Sequence, residues 1–190
     1  MTDIRTYLSG AAEALAAAAN DAALVDACGR AVAVITKALK AGRPVLVCGN
    51  GGSMADAQHI AGELTSRFRL ERPGLPVIAL GTNTATLTAW SNDYDYETAF
   101  AREVDAYGVP GGVLIGLSTS GNSKNVLAAA EKARFKGMTT IALTGAGGGG
   151  LAALADVLLA APATDTPRIQ EIHIALYHVL CEQVEAACAS

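Results

Sequence analysis

Pro44-Val45-Leu46-Val47-Cys48-Gly49-Asn50-Gly51-Gly52-Ser53 is the stretch on which the fold turns. Its first half is a continuous apolar run, not an alternating one, as a strand buried on both faces requires. The run stops in glycines, and helical sequence follows. The same rhythm recurs at Val77-Ile78-Ala79-Leu80, Val113-Leu114-Ile115-Gly116-Leu117, Thr139-Thr140-Ile141-Ala142-Leu143 and Val157-Leu158-Leu159-Ala160. Helical stretches over roughly 53–68, 83–107 and 123–136 separate these runs. Strands alternating with helices predict a parallel sheet with right-handed crossovers. A last helix is expected over about 167–187, with Pro167 in its first turn. Gly147 to Gly150 reads as a turn before a short helix.

Upstream, no proline precedes Pro44, and the segment from Thr2 to Leu39 is rich in Ala, Leu and Val. It reads as two helices broken near Asn20-Asp21. No linker or low-complexity segment divides the chain. The expected organisation is a single α/β domain over 1–190, with a helical pair at 1–41 and an α/β core with a long C-terminal helix at 44–190. Length supports this, since 190 residues can bury a real core.

Composition excludes several classes of function. Hydrophobic residues make up 51% and charged residues only 17%, against roughly 25% charged in an ordinary domain. No segment offers the ~18 uninterrupted apolar residues of a membrane span, so subunit interfaces are the expected destination of the apolar surplus, and a homo-oligomer follows. Net charge is −4, and no basic run marks a nucleic-acid footprint. No basic stretch leading into an apolar core marks a secretory signal. Cys28, Cys48, Cys181 and Cys188 form no C-x-x-C pair and read as free thiols of a reducing compartment, so a cytoplasmic location is expected.

Ligands of such sheets bind at the carboxyl ends of the strands. The loop Gly49-Asn50-Gly51-Gly52-Ser53 lets a ligand approach backbone N–H groups, although a tight strand-to-helix turn has the same composition. It matches neither the dinucleotide nor the Walker spacing. The loop Ser118-Thr119-Ser120-Gly121-Asn122-Ser123 is sharper: four hydroxyls and a glycine at a helix start suit a phosphate monoester. Ser123 or Asn122 is also a fitting helix cap. Lys124 reads as a solvated first-turn residue. His59 and Glu63, four apart, share one helix face. Gln170 and His178 share a broad face of the last helix. As a group these four suit either a metal site or an acid–base pair. His173 reads as a packing or hydrogen-bonding residue.

Taken together, these residues resemble the sedoheptulose-7-phosphate isomerases, also called phosphoheptose isomerases, of the sugar isomerase (SIS) domain class. The resemblance covers nearly the whole chain. Its marks are Cys-Gly-Asn-Gly-Gly-Ser at 48–53, Asp56 with His59 and Glu63, Glu71-Arg72-Pro73-Gly74, Asn92-Asp93, the 118–123 loop, Leu143-Thr144-Gly145, and Arg168-Ile169-Gln170-Glu171-Ile172-His173. It implies a three-layer α-β-α sandwich with a mainly parallel five-stranded sheet, N-terminal helices used for oligomerisation, and a homotetramer with sites at subunit interfaces. It implies an isomerase that interconverts D-sedoheptulose 7-phosphate and D-glycero-D-manno-heptose 7-phosphate through an enediol, the first step of heptose precursor biosynthesis.

The same resemblance assigns roles residue by residue. Glu63 matches the general base and His178 the general acid. Asn50, Gly51 and Gly52 match the first substrate loop, and Ser118, Thr119, Ser120 and Ser123 the phosphate loop, with Ser53 in support. Asn92 and Asp93 match sugar-contacting positions, and Arg67 an arginine near the site. Glu63 and Gln170 also belong to the substrate set. His59, Glu63, Gln170 and His178 match four ligands of a zinc ion, one per subunit and partially occupied. The stretch 80–93 also resembles a non-catalytic relative that binds a replication initiator protein. That relative lacks the carboxylate and the last-helix histidine, whereas Glu63 and His178 are both present here. An isomerase of a different sugar phosphate is the other alternative.

Overall fold

The computed structural model describes residues 3–189; the expected helix start at Thr2 and the domain ends at Met1 and Ser190 lie outside them. The chain opens with two helices, α1 (Ile4–Asn20) and α2 (Ala22–Lys40). Asp21 explains the break between them: its extended backbone stops α1, and its carboxylate accepts the N–H groups of Ala23 and Leu24 to start α2. There follow β1 (Val45–Cys48), α3 (Gly52–Thr65), β2 (Val77–Ala79), α4 (Thr84–Asp93), α5 (Ala99–Tyr107), β3 (Val113–Leu117), α6 (Lys124–Phe135), β4 (Thr139–Thr144), α7 (Gly149–Ala152), β5 (Val157–Ala160) and α8 (Thr166–Ala189).

All five strands are parallel, in the order β2-β1-β3-β4-β5. Each continuous apolar run forms a strand, and β1 and β3 are buried at every position. Alternate residues serve two cores. Val45, Val47, Ile115 and Ile141 pack beneath α1, α2, α3 and α8. Leu46, Cys48, Leu114 and Ala142 pack with Phe100, Val104, Val126 and Leu151 of α5, α6 and α7. Each fully buried large aliphatic side chain contributes about 1.5–3 kcal/mol. The sheet therefore forms the middle of three layers, as expected.

The topology fixes where ligands go. From β1 the chain crosses to β2 on one side and then returns to β3 on the other, so the strand order reverses between β1 and β3. The crevice at such a reversal lies at the carboxyl ends of the two strands. Those ends are Cys48 and Leu117, which lead into the two loops singled out from the sequence.

The structure corrects one helix. The stretch 83–107 is not continuous but divides into α4 and α5 around a turn at 94–98. Asp95 Oδ1 accepts the Thr98 N–H at 2.6 Å and its hydroxyl at 2.7 Å, and the Trp90 indole N–H donates to Thr98 Oγ1 at 2.9 Å. Side-chain oxygens thus replace the helical bonds across the turn. Among the described residues no helix is long and apolar enough to cross a membrane.

Candidate functional site

The 118–123 loop is a knot of hydroxyls. Ser118 Oγ lies 3.0 Å from Ser123 Oγ and 3.5 Å from Ser120 Oγ. Ser123 stands at the N-cap position of α6, but its hydroxyl makes no cap bond, and turns to Ser118 instead. Asn122 does not cap α6 either; its Oδ1 accepts the Gly150 N–H at 2.9 Å. The four-glycine segment is therefore more than a turn. Gly121 has φ +67°, and a Cβ there would lie 2.0 Å from the Gly148 carbonyl oxygen. Only glycine permits that backbone crossing. Thr119 and Ser120 line a shallow pocket of ≈ 160 Å³ with Gly145 and Ile169. Lys124 is exposed and paired with Glu97 at 2.7 Å, away from the hydroxyls as expected.

The first loop is tied by amides to the start of α6, just past the second loop. Asn50 and Asn125 exchange two hydrogen bonds of 2.8 Å, and the Tyr96 hydroxyl donates to Asn50 Oδ1 at 2.7 Å. Gly51 and Gly52 remain exposed, and Ser53 is buried at the start of α3. Gln170 of α8 lies so close to Gly52 that a Cβ there would meet its Nε2 at 2.5 Å. Gly52, Asp56 and Gln170 share an open groove of ≈ 400 Å³.

Farther along α3 and α8 the acid–base candidates meet. His59 Nε2 stands 2.9 Å from Glu63 Oε1. The His59 and His178 rings are edge to face with centroids 5.1 Å apart, and Phe68 stacks on His178 at 5.9 Å. Ligating atoms of His59, Glu63 and His178 all lie within 4.8 Å of one another, an arrangement able to hold a metal ion. On the other side of His59, its Nδ1 is 2.9 Å from the Tyr177 hydroxyl, which donates to Asp56 Oδ1 at 3.3 Å. Burial pushes the Asp56 carboxyl above its ordinary range, against the Tyr177 bond and the nearby His59. Burial and Asp56 push the Tyr177 phenol up as well, so it stays a neutral hydroxyl.

The SIS domain family matches residues 6–145. The phosphoheptose isomerase of Rhodospirillum rubrum is 51% identical over 189 residues, 99% of this chain and 98% of that protein. This chain belongs to the phosphoheptose isomerase family. The family member of Crocosphaera subtropica is 56% identical over 155 residues, 82% of this chain and 79% of its own. The solved phosphoheptose isomerase of Francisella tularensis superposes with a TM-score of 0.92 at 38% identity, over 96% of each chain.

Not every position matched to phosphoheptose isomerases converges within one chain. Asn92 donates to Asp93 Oδ1 at 3.0 Å, and both are exposed at the end of α4. Arg67 is exposed just beyond α3. His173 is fully buried, with Nε2 3.0 Å from the Thr144 carbonyl oxygen; burial lowers its pKa against that bond, in keeping with a structural role. Sequence reasoning missed Asn125, Tyr96 and Tyr177, whose partners lie on other elements and leave no local spacing signal. It also missed Glu185. That carboxylate accepts the Phe68, Arg69 and Leu70 N–H groups and pairs with Arg72 at 3.2 Å, organising the loop that leaves α3.

Proposed function

We propose that this chain interconverts D-sedoheptulose 7-phosphate and D-glycero-D-manno-heptose 7-phosphate. The observation that carries the reading is the meeting of Glu63 and His178 beside His59, in a family of phosphoheptose isomerases. Ketose and aldose differ by a proton moved between neighbouring carbons. Glu63 takes the proton from C1 while His178 donates one to the carbonyl oxygen at C2, giving the enediol. Return of a proton to C2 and loss of one from the C1 hydroxyl complete the exchange. The 118–123 hydroxyls and the α6 N-terminus anchor the phosphate. Asn50, Gly51, Gly52, Ser53, Asn92, Asp93, Arg67 and Gln170 surround the sugar.

His59, Glu63 and His178 are the residues that would hold zinc; Gln170, placed against Gly52 and not beside them, would have to turn toward them to act as the fourth. Two imidazoles and a carboxylate are ordinary zinc ligands and an amide is a weak one, so affinity is modest. A bound zinc ion supplies positive charge that polarises a substrate oxygen.

Three turns of α3, about 16 Å, separate the 49–53 loop from Glu63. A neighbouring copy that lays its acid–base group over the phosphate loop would complete a site at a subunit boundary. Exposed Ile4, Tyr7, Leu8, Leu15 and Val25 on α1 and α2 supply the apolar face for a homotetramer.

The deciding experiment is turnover of sedoheptulose 7-phosphate by the pure protein, with and without chelator, alongside elemental analysis and light scattering. Turnover, bound zinc and a tetramer are expected. No turnover, with a co-purifying replication protein, would establish the binder instead, and a panel of other ketose phosphates distinguishes a different substrate. A monomer at micromolar concentration would remove the shared site.

Ser120→Ala is expected to raise KM about ten- to a hundredfold with kcat little changed. A hydrogen bond to a charged group is worth roughly 1.5–3 kcal/mol, and this one is made in ground and transition states alike. Unchanged kinetics in Ser118→Ala, Ser120→Ala and Ser123→Ala would place the phosphate elsewhere.

A further inference from the structure

Tyr177 precedes His178 on α8 and is 1% exposed, so it reads at first as core. Its hydroxyl is not idle. It lies 2.9 Å from His59 Nδ1 and 3.3 Å from Asp56 Oδ1. A neutral phenol has one proton and must choose between these two atoms. Asp56 settles the choice. Its Oδ2 is buried without a partner, and among the described residues its carboxylate has no donor but Tyr177. A half-buried carboxylate whose Oδ2 is already unpartnered loses more by giving up its single protein donor than an imidazole loses by turning to its other tautomer. The phenolic proton therefore goes to Asp56, and the phenolic oxygen is left to accept. His59 must then donate from Nδ1, and 2.9 Å is the ordinary length of an N–H···O bond.

The consequence falls on the opposite side of the ring. With its proton on Nδ1, neutral His59 presents a bare lone pair at Nε2. That lone pair faces Glu63 Oε1 across 2.9 Å, with His178 alongside. Two acceptors at that distance repel unless a positive charge, a proton or a divalent cation, sits between them.

We propose that Tyr177 is a positioning residue that, anchored by Asp56, keeps the His59 proton on Nδ1 and turns the Nε2 lone pair toward Glu63 and His178. Partners of this kind fix the tautomer and orientation of a ligating imidazole, and losing one typically costs 10–100-fold in metal affinity or activity. The effect on catalysis rests on the isomerase reading, whereas the tautomer itself does not.

The test uses Tyr177→Phe, which keeps the ring and its packing and removes one oxygen. In protein labelled with ¹⁵N at histidine, the metal-free wild type should show His59 protonated at Nδ1, and Tyr177→Phe should lose that preference. Zinc, titrated alone, should bind the variant 10–100-fold more weakly. On sedoheptulose 7-phosphate, kcat should fall within the same range with KM little changed. Asp56→Asn keeps an acceptor at the longer of the two contacts and should do less. A wild-type spectrum with the proton on Nε2 and none on Nδ1 overturns the proposal. So does a Tyr177→Phe protein with unchanged His59 signals and unchanged zinc affinity. Should Tyr177→Phe fail to fold, the wild-type spectrum alone decides. Absence of turnover in the wild type would sink the isomerase reading and leave the spectroscopic result standing.

Discussion

Glu63→Gln is expected to lower kcat about 10²–10⁴-fold while sedoheptulose 7-phosphate still binds. The amide keeps the shape of the side chain and its place 2.9 Å from His59, but it cannot accept a proton from carbon. His178→Gln should act in the same range by removing the acid, with Phe68 left stacking on nothing. The two losses should not multiply in the double variant, because base and acid serve one proton exchange. Single-turnover rates and binding titrations separate the chemical loss from any loss of affinity. Near-normal turnover in either variant ends the assignment.

Glu185→Ala carries the largest expected effect on stability, about 3–5 kcal/mol, because it strands a buried guanidinium. The Arg72 and Glu185 side chains are 2% and 1% exposed. Glu185 also accepts three consecutive backbone N–H groups, from Phe68, Arg69 and Leu70. Arg72 also donates from its two terminal nitrogens to the carbonyl oxygens of Ser66, Pro73 and Glu63, while its Nε is buried without a partner. The denaturant midpoint should fall with an unchanged slope; a shift under 0.5 kcal/mol would show the pair to be dispensable. Acid should mimic the mutation. Burial opposes the Glu185 charge, but the Arg69, Phe68 and Leu70 amides and the Arg72 guanidinium outweigh it, leaving its pKa below the glutamate range. The stabilisation is therefore complete above the unfolded value of ~4.3 and disappears as pH falls through the lower, folded value.

Much of this was legible in sequence for a simple reason. A strand buried on both faces must be apolar throughout, so Val45–Cys48 and Val113–Leu117 announced themselves. The loops after them followed from topology. His59 and Glu63 were readable as a pair because a helix brings every fourth residue to one face. What stayed hidden depends on distance along the chain. Asn50 meets Asn125 across 75 residues, and Phe68 meets Glu185 across 117. No local period encodes such contacts. Tyr177 hid for a different reason: an aromatic on a buried helix face is ordinarily packing, and only the nearness of Asp56 and His59 gives its hydroxyl a task. The split between α4 and α5 was readable in principle from Asn92-Asp93-Tyr94-Asp95, a cluster that favours turns. Helix-compatible residues on both sides masked it.

The crossing of Gly121 beneath Gly148 has a thermodynamic consequence. A loop of small hydroxyl residues would ordinarily sample many shapes and surrender that freedom when an anion arrives. Here the backbone of one loop is wedged against another at a separation that admits no side chain, and Asn122 is bonded to Gly150 across the junction. Its conformational entropy is surrendered once, during folding, so a phosphate bound there as proposed would meet a loop already held in place. Preorganisation of that sort converts contact into affinity with little loss to ordering. On that proposal, retention of a small dianion would need no lysine within the loop.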